Sequence, residues 1–163
     1  MQLKTLRDLY VEQLKDLYSA ETQLVKALPK MERAAAAPEL KQAFQGHLAE
    51  TERQVERLEQ IFEGLGEKPG GHTCKGMQGL IAEGEEMIKM KGDPAAIDAG
   101  LIAAAQRVEH YEIAGYGCVR TYADLLGEQQ GAKLLQQTLD EEGKTDKLLT
   151  RIAERVVNLE AER

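Results

Sequence analysis

The stretch LIAAAQRVEHYEIAGYGCVRTYADLL, residues 101–126, decides the fold. Small and apolar residues recur in it alternately four and three positions apart, which is typical of the inward stripe of a bundle helix. The stripe consists of Leu101, Ala105, Val108, Glu112, Gly115, Val119, Tyr122 and Leu126. Glu112 is a carboxylate on this stripe, and Glu109 lies about one turn before it. Because a buried carboxylate is costly without a positive partner, these acids predict such a partner inside the fold.

The composition extends the helical prediction to the whole chain. The sequence has 163 residues, 4 prolines and no tryptophan, and Leu, Ala, Glu, Lys, Gln and Arg, which are good helix formers, dominate it. No alternating strand pattern longer than a few residues occurs. We therefore expect an all-α protein with one domain, residues 1–163.

Charge and hydropathy narrow the possible partners. The net charge of -7 argues against direct nucleic-acid binding, which needs a basic face. No apolar run approaches the roughly eighteen residues of a membrane span, and no signal-peptide pattern opens the chain. We expect a cytoplasmic protein without membrane contact.

The two cysteines form no metal-binding pair. Cys74 and Cys118 are far apart in the sequence and make no CxxC motif, which argues against a zinc site or a rubredoxin-type iron site. Cys74 falls in a predicted loop and is expected to be the more exposed thiol. Cys118 lies on a predicted helix and is expected to be a small core residue.

Helical periodicity predicts four long helices and one shorter helix. Their expected ranges are about 3–35, 38–64, 76–90, 94–126 and 128–160. Pro29 predicts a kink or a break near residue 28. A shift of 91 residues superposes the first long helix on the third and the second on the fourth. Two helical hairpins joined by a long crossover are the layout of a ferritin-like four-helix bundle, here with the shorter helix in the crossover.

Each long helix offers at least one acid to the core side. These candidate metal ligands are Glu21, Glu50, Glu109, Glu112 and Glu141. Bridging carboxylates offset the repulsion between two nearby cations, and hard oxygen ligands suit iron and manganese, so the acids predict two divalent metal ions.

The histidines of a standard di-iron site are not at their usual places. Such a His follows a Glu by three residues, where this chain has Arg53 and Lys144. His47 instead precedes Glu50 by three residues. The spacing leaves open whether His47, Glu142 or Asp146 joins the site.

Other polar residues receive simpler interpretations. His72 and His110 are predicted to lie on the surface or in a loop. Tyr18, Tyr111 and Tyr116 are predicted to be packing residues whose hydroxyl groups reach carboxylates.

Five sequence blocks, in order along nearly the whole chain, carry a family resemblance. They are DLYSAETQL, HLAETERQVERLEQIF, CKGMQGLIAEG, QRVEHYEIAGYG and TLDEEGKTDKLL, and they resemble the YciF-like bacterial stress proteins, a family similar to rubrerythrin. The resemblance implies a helical bundle with a metal site between its four long helices, and a homodimer. Glu109 and Glu112 resemble the paired acids on rubrerythrin's third helix. Rubrerythrin's cysteine-bound iron domain has no counterpart here, which argues against peroxidase activity with a built-in electron relay.

Two functional hypotheses follow, and these residues leave open whether the protein is an enzyme. In the first, a carboxylate-rich di-metal site oxidises Fe(II) or reduces peroxide. In the second, the bundle is a non-catalytic structural or interaction module of the stress response. Its inward acids would then pair with basic side chains or hold a redox-silent ion; the basic candidates are Arg53, Arg107, Lys144 and Lys147.

Overall fold

The computed structural model describes residues 3–163, and this part of the chain is helical without a strand. The helices are α1 (Leu6–Ala34), α2 (Pro38–Leu65), α3 (Lys75–Lys89), α4 (Pro94–Leu125) and α5 (Gln129–Ile152). After α5 the chain passes through a π-helical turn, Ala153–Val157, into a last helical turn, α6 (Asn158–Ala161). The all-α prediction is confirmed, and the predicted helix ends agree with the structure to within a few residues, except that the last helix changes geometry after residue 152.

The four long helices form two hairpins. Short connections join α1 to α2 and α4 to α5, and each pair packs along its length. The hairpins contact each other through α1 with α4 and α2 with α5. Helix α3 lies in the crossover between them and packs on α1 and α4. This arrangement confirms the predicted ferritin-like bundle with an additional short helix.

Local sequence signals set most helix ends. Thr5 and Asp8 form a capping box at the start of α1, and Asp93 caps α4 by accepting hydrogen bonds from two backbone N–H groups. Gly66 ends α2 with φ 69°, and Gly127 follows α4 with φ 77°. Glycine adopts this left-handed backbone without steric cost, so both helices stop where the sequence indicates.

A kink or a break was predicted near Pro29, and the break does not occur. Helix α1 continues through this residue to Ala34. A proline removes one backbone hydrogen bond of the helix, but Leu28 and Met31 on either side of it are buried in the core. Their packing holds the last turns of α1 in place.

Two apolar clusters fill the bundle, one toward each end. The first contains Leu28, Phe44, Leu101 and Leu149, and the second contains Tyr10, Leu58, Tyr116 and Leu135. Along each long helix, buried polar residues lie between the members of the two clusters. We call these residues the polar layer; they are Glu21, His47, Thr51, Gln54, Glu109, Glu112, Thr138 and Glu142. The fold therefore places a set of acids midway along an otherwise apolar core.

A buried acid outside the polar layer joins α4 to the turn between α1 and α2. The Asp98 carboxylate accepts hydrogen bonds from the backbone N–H groups of Ala36 at 2.8 Å and Ala37 at 2.7 Å. These N–H groups have no partner within a helix, so Asp98 satisfies two donors of the turn at once.

Both expectations about the cysteines were wrong. Cys74 is fully buried, and Cys118 is exposed. Cys74 caps α3, because its Sγ accepts from the Met77 N–H at 3.3 Å while its own N–H donates to the Ser19 hydroxyl at 2.9 Å. Cys118 lies one residue before Val119 of the inward stripe, so its side chain points away from the core.

The predicted lack of a membrane span agrees with the helices of residues 3–163. None of them combines the length and the apolar character needed to cross a bilayer.

Candidate metal centre

Four buried side chains from three helices converge within the polar layer. His47 comes from α2, Glu109 and Glu112 come from α4, and Glu142 comes from α5. Each offers one ligand atom, and these atoms all lie within 4.8 Å of one another. The side chains are almost completely shielded from solvent, with at most 3% of each residue exposed. We call these four residues the quartet.

Most ligand atoms of the quartet lack a hydrogen-bond partner among the described residues. These atoms are both ring nitrogens of His47, both carboxylate oxygens of Glu109 and Glu112, and one oxygen of Glu142. The His47 Nε2 and Glu109 Oε1 atoms are 3.0 Å apart, yet their alignment does not make a hydrogen bond. Buried polar atoms are ordinarily partnered. Four ligand atoms this close to one another, most of them without a hydrogen-bond donor, could bind a shared cation.

Glu21 on α1 lies beside the quartet. It is fully buried, and one of its oxygens accepts a hydrogen bond from the Tyr116 hydroxyl. Its other oxygen has no partner within residues 3–163. The neighbouring charge of Glu142 raises the pKa of Glu21 in addition to burial. Four glutamates thus share one enclosed space.

Burial and mutual repulsion keep these carboxyl groups from ionising in the protein alone. Burial raises the pKa of Glu21 and of Glu109 to about 8. The pKa values of Glu112 and Glu142 are also far above the ordinary range, first because of burial and then because neighbouring glutamates oppose a further negative charge. A bound cation would supply the opposite charge and lower the pKa values of these carboxyl groups.

Two residues of the polar layer position the quartet. The Gln54 amide donates a hydrogen bond to Glu142 at 2.5 Å, and its side chain is fully buried. The Thr51 hydroxyl donates to the backbone carbonyl of His47 at 2.9 Å. Gln54 therefore fixes one oxygen of Glu142, and the other oxygen has no partner among the described residues. The Gln54 amide also donates to Glu141 at 3.2 Å. Gln54 was not predicted as a functional residue, although it belongs to the same helical face as His47.

Two of the five predicted acids, Glu109 and Glu112, belong to the quartet, and a third, Glu21, lies beside it. The other two have partners elsewhere. Glu141 forms a two-pronged ion pair with Arg57 at 2.6 and 2.7 Å, and Glu50 is partly buried and accepts from the Thr145 hydroxyl at 3.3 Å.

The inward position on α5 belongs to Glu142 rather than to its neighbour Glu141. The sequence contains the signal, because Leu135 and Leu149 lie seven residues before and after Glu142 and all three share one face. His47 joins the quartet, whereas Asp146 does not. Asp146 accepts a hydrogen bond from Gln106 at 3.1 Å and lies 3.3 Å from His110.

The three tyrosines behave as predicted. Tyr18 donates to Glu59 at 2.9 Å, Tyr111 donates to Asp16 at 2.8 Å, and Tyr116 donates to Glu21. Only Tyr116 reaches the polar layer.

The histidines outside the quartet also lie where the sequence indicates. His110 is exposed. His72 lies in the loop before α3, with its ring nitrogens 3.1 Å from Glu12 and 2.9 Å from Asp16.

The fold and the site define the class of protein: a ferritin-like helical bundle with a buried carboxylate–histidine group. Within this class, the chain belongs to the family described as "Domain of unknown function (DUF892)", whose model matches residues 5–162. Protein YciF of Escherichia coli (strain K12) is 47% identical to it over 163 residues, which are 99% of this chain and 98% of that protein. The predicted YciF-like family is therefore confirmed.

Solved structures support the same assignment. The crystal structure of the E. coli stress protein YciF superposes with a TM-score of 0.92 and covers 96% of this chain and 99% of that one. The protein YcfI from Rhodopseudomonas palustris has a TM-score of 0.88 at 42% identity, covering 91% and 95% of the two chains. A protein from Xanthomonas campestris at 24% identity shares the fold, with a TM-score of 0.78 over 98% of each chain.

Proposed function

We propose that this protein binds two divalent metal ions, iron or manganese, in the polar layer and oxidises Fe(II) there with dioxygen. The observation that carries the proposal is the convergence of unpartnered ligand atoms from His47, Glu109, Glu112 and Glu142. A buried acid that serves only the fold has its partners in the chain. Most oxygens of these acids have no such partner among the described residues.

Charge balance supports two ions rather than one. Glu21, Glu109, Glu112 and Glu142 together carry four negative charges when ionised. Two divalent cations would neutralise them, and buried charges are tolerated when they are matched in this way. Carboxylate oxygens with one imidazole suit iron and manganese. Cysteine ligands would favour zinc, and softer ligands would favour copper.

Different residues of the chain would bind the ions, orient the ligands and exclude water. His47, Glu109, Glu112 and Glu142 would bind the ions, and Glu21 would approach from the opposite helix with one oxygen held by Tyr116. Gln54 would orient Glu142. The apolar clusters at either end exclude bulk water, which strengthens electrostatic interactions inside the site. When bound, paired ferrous ions supply two electrons to an oxidant.

The basic residues that the sequence analysis named as possible ion-pair partners do not pair with these acids. Arg53, Arg107, Lys144 and Lys147 are all exposed, and the ion pairs of residues 3–163 do not connect them to the polar layer. Instead, Arg57 pairs with Glu141 at the edge of the layer. This favours a bound cation over a purely structural role for the acids.

Anaerobic loading followed by oxidation tests the proposal. Wild-type protein should bind about two Fe(II) per chain and consume oxygen faster than the protein-free control, with saturation. Glu112→Ala should abolish stoichiometric binding. Glu141→Gln, adjacent to the site but paired with Arg57, is the matched control and should bind iron normally.

Two outcomes would count against the proposal. Wild-type protein that binds no iron or manganese would contradict the metal site itself. Stoichiometric binding with oxygen consumption at the protein-free rate would support the non-catalytic alternative with a redox-silent ion. Dimerisation and a cytoplasmic location stay predictions, which light scattering and cell fractionation check.

A further inference from the structure

A narrow apolar slot runs under helix α3 toward the quartet. It has a volume of about 460 Å³, counting its open mouth, and only a small part of that volume is wide enough for a water-sized molecule. Aliphatic side chains from α1, α3 and α4 form most of its wall. Those that matter here are Leu24, Leu28, Ile81 and Val108, together with Gly84 of α3.

The two ends of the slot differ in polarity. Lys30 and Glu85 line the outer end, where they form an ion pair at 2.6 Å and are both partly exposed. His47 and Glu109, both in the quartet and both buried, line the inner end. Between these ends the wall is almost entirely hydrocarbon. Residues of the surface between α1 and α3 and two of the proposed metal ligands therefore line the same slot.

We infer that this slot is the path by which dioxygen reaches the site, an inference that rests on the proposed function. An apolar passage has no oxygen ligands to exchange for the water around Fe(II), and a cation pays a large desolvation penalty there. It also has no partners for the hydrogen-bonding ends of hydrogen peroxide. Dioxygen is small and apolar, so neither penalty applies to it. Dioxygen is no smaller than a water molecule, so it passes the narrower parts of the slot through small side-chain motions, and larger apolar substrates are excluded.

The chemistry served by this path balances without a further reactant. If two Fe(II) ions are bound, each would give one electron to dioxygen, which would take up two protons from water. The products would be two Fe(III) ions, one hydrogen peroxide and two hydroxide ions.

Gly84 is the position at which the slot can be closed. It is buried on α3, and a Cβ added there would lie 3.7 Å from the Met31 sulfur and 3.9 Å from the Ala104 Cβ. These are ordinary contacts, so Gly84→Ala fits without displacement. A leucine side chain at this position would extend beyond the Met31 sulfur and the Ala104 Cβ into the slot. Gly79 lies on the same helix with open space around it, so Gly79→Leu is a matched control.

The first test needs no metal. Methyl NMR spectra of the metal-free protein are recorded under oxygen pressure, because paramagnetic dioxygen speeds the relaxation of methyl groups near it. Leu24, Leu28 and Val108 should relax faster than Leu14 and Leu58, which are at least as buried but belong to the second apolar cluster. Equal relaxation of the two sets would overturn the inference.

The second test compares two oxidants on iron-loaded protein. Gly84→Leu should raise the oxygen concentration for half-maximal oxidation by about fivefold or more, whereas Gly79→Leu and Gly84→Ala should stay near wild type. Oxidation by hydrogen peroxide should change less than about twofold in all three variants. An unchanged oxygen dependence in a folded Gly84→Leu protein would contradict the path.

The two proposals fail in different ways. If wild-type protein takes up no iron, or oxidises it no faster than buffer, the proposed function fails whatever the NMR result. If wild-type oxidation is saturable but the slot methyl groups show no preferential relaxation, only the oxygen path fails. Circular dichroism of each variant separates a blocked slot from a misfolded chain, and the wild-type NMR comparison stands without any variant.

Discussion

Asp98 and Glu112 are both buried acids on α4, and they differ in what meets them. Asp98 is 2% exposed, and its two carboxylate oxygens accept two backbone N–H groups of the α1–α2 turn. Glu112 is fully buried, and neither of its oxygens has a hydrogen-bond partner within the described chain. The described residues supply hydrogen-bond donors to the Asp98 carboxylate and none to the Glu112 carboxylate.

The difference separates an acid that stabilises the fold from the acids that we propose as metal ligands. Asp98 stabilises the turn, since the N–H groups it accepts would otherwise be left without a partner. Glu112 and its neighbours destabilise the metal-free fold, because burial and repulsion oppose their ionisation. A group of acids that weakens the protein alone is expected to gain its stabilisation from a ligand.

The largest expected effect is that of metal on stability. At a free metal concentration of 1,000 times Kd, binding should raise the free energy of unfolding by about 4 kcal/mol. Chemical denaturation with and without Mn(II) measures this. The Asp98→Ala variant should gain the same increment, and Glu112→Ala should gain almost none. An equal gain in all three proteins would contradict the distinction between the two acids.

Removing Asp98 should give the next largest effect. Asp98→Ala leaves two N–H groups without their charged acceptor, and we expect a loss of about 3 kcal/mol in the free energy of unfolding, with or without metal. Asp93→Ala is the matched control, because Asp93 also accepts two backbone N–H groups but is exposed at the start of α4. It should cost about 1 kcal/mol.

The stability of the metal-free protein should fall as pH rises from 5 to 8. The folded protein keeps protons on Glu21 and Glu109 until about pH 8, while the unfolded chain releases them near the ordinary glutamate value. Folding therefore takes up protons in this window, and the free energy of unfolding declines as the pH rises. Metal-loaded protein should show the opposite slope, because ligands must be deprotonated to bind. Urea unfolding at several pH values checks both signs.

The smallest expected effects come from neutral replacements in metal-free protein. Glu112→Gln removes a buried ionisable group without changing its shape, so the free energy of unfolding at pH 8 should rise slightly, by about 1 kcal/mol. Glu141→Gln weakens a partly exposed ion pair with Arg57 and should cost less than about 1 kcal/mol. Thermal unfolding of the three proteins side by side measures both. A marked loss of stability in Glu112→Gln would mean that this acid serves the fold.

The fold could be predicted because its signals are local. Heptad spacing, the prolines at the starts of α2 and α4, and Gly127 after α4 depend only on neighbouring residues. Pro29 shows where a local signal is overridden, since the core contacts of Leu28 and Met31 outweigh the lost backbone hydrogen bond. The burial of Cys74 could not be predicted in this way, because it depends on how α3 packs against α1.

The site could be predicted only in part, because some of its residues are selected by contacts with other helices. Glu21, Glu109 and Glu112 follow from the apolar stripes of α1 and α4. The choice between Glu141 and Glu142 depends on about 100° of rotation around α5. The spacing of Glu142 to Leu135 and Leu149 favours Glu142, and the prediction of Glu141 overlooked it. His47 was uncertain because no fixed spacing to a glutamate marks it; its role depends on Glu109, which lies on another helix.

Anomalous diffraction from crystals grown with Mn(II) or anaerobically with Fe(II) tests the central claim most directly. The account predicts an anomalous peak at the metal edge within coordination distance of His47, Glu109, Glu112 and Glu142, about 2.0–2.3 Å from their ligand atoms. It also predicts a second peak nearby, beside Glu21. A well-ordered polar layer without a peak, or a peak only at surface acids such as Glu141, would contradict it.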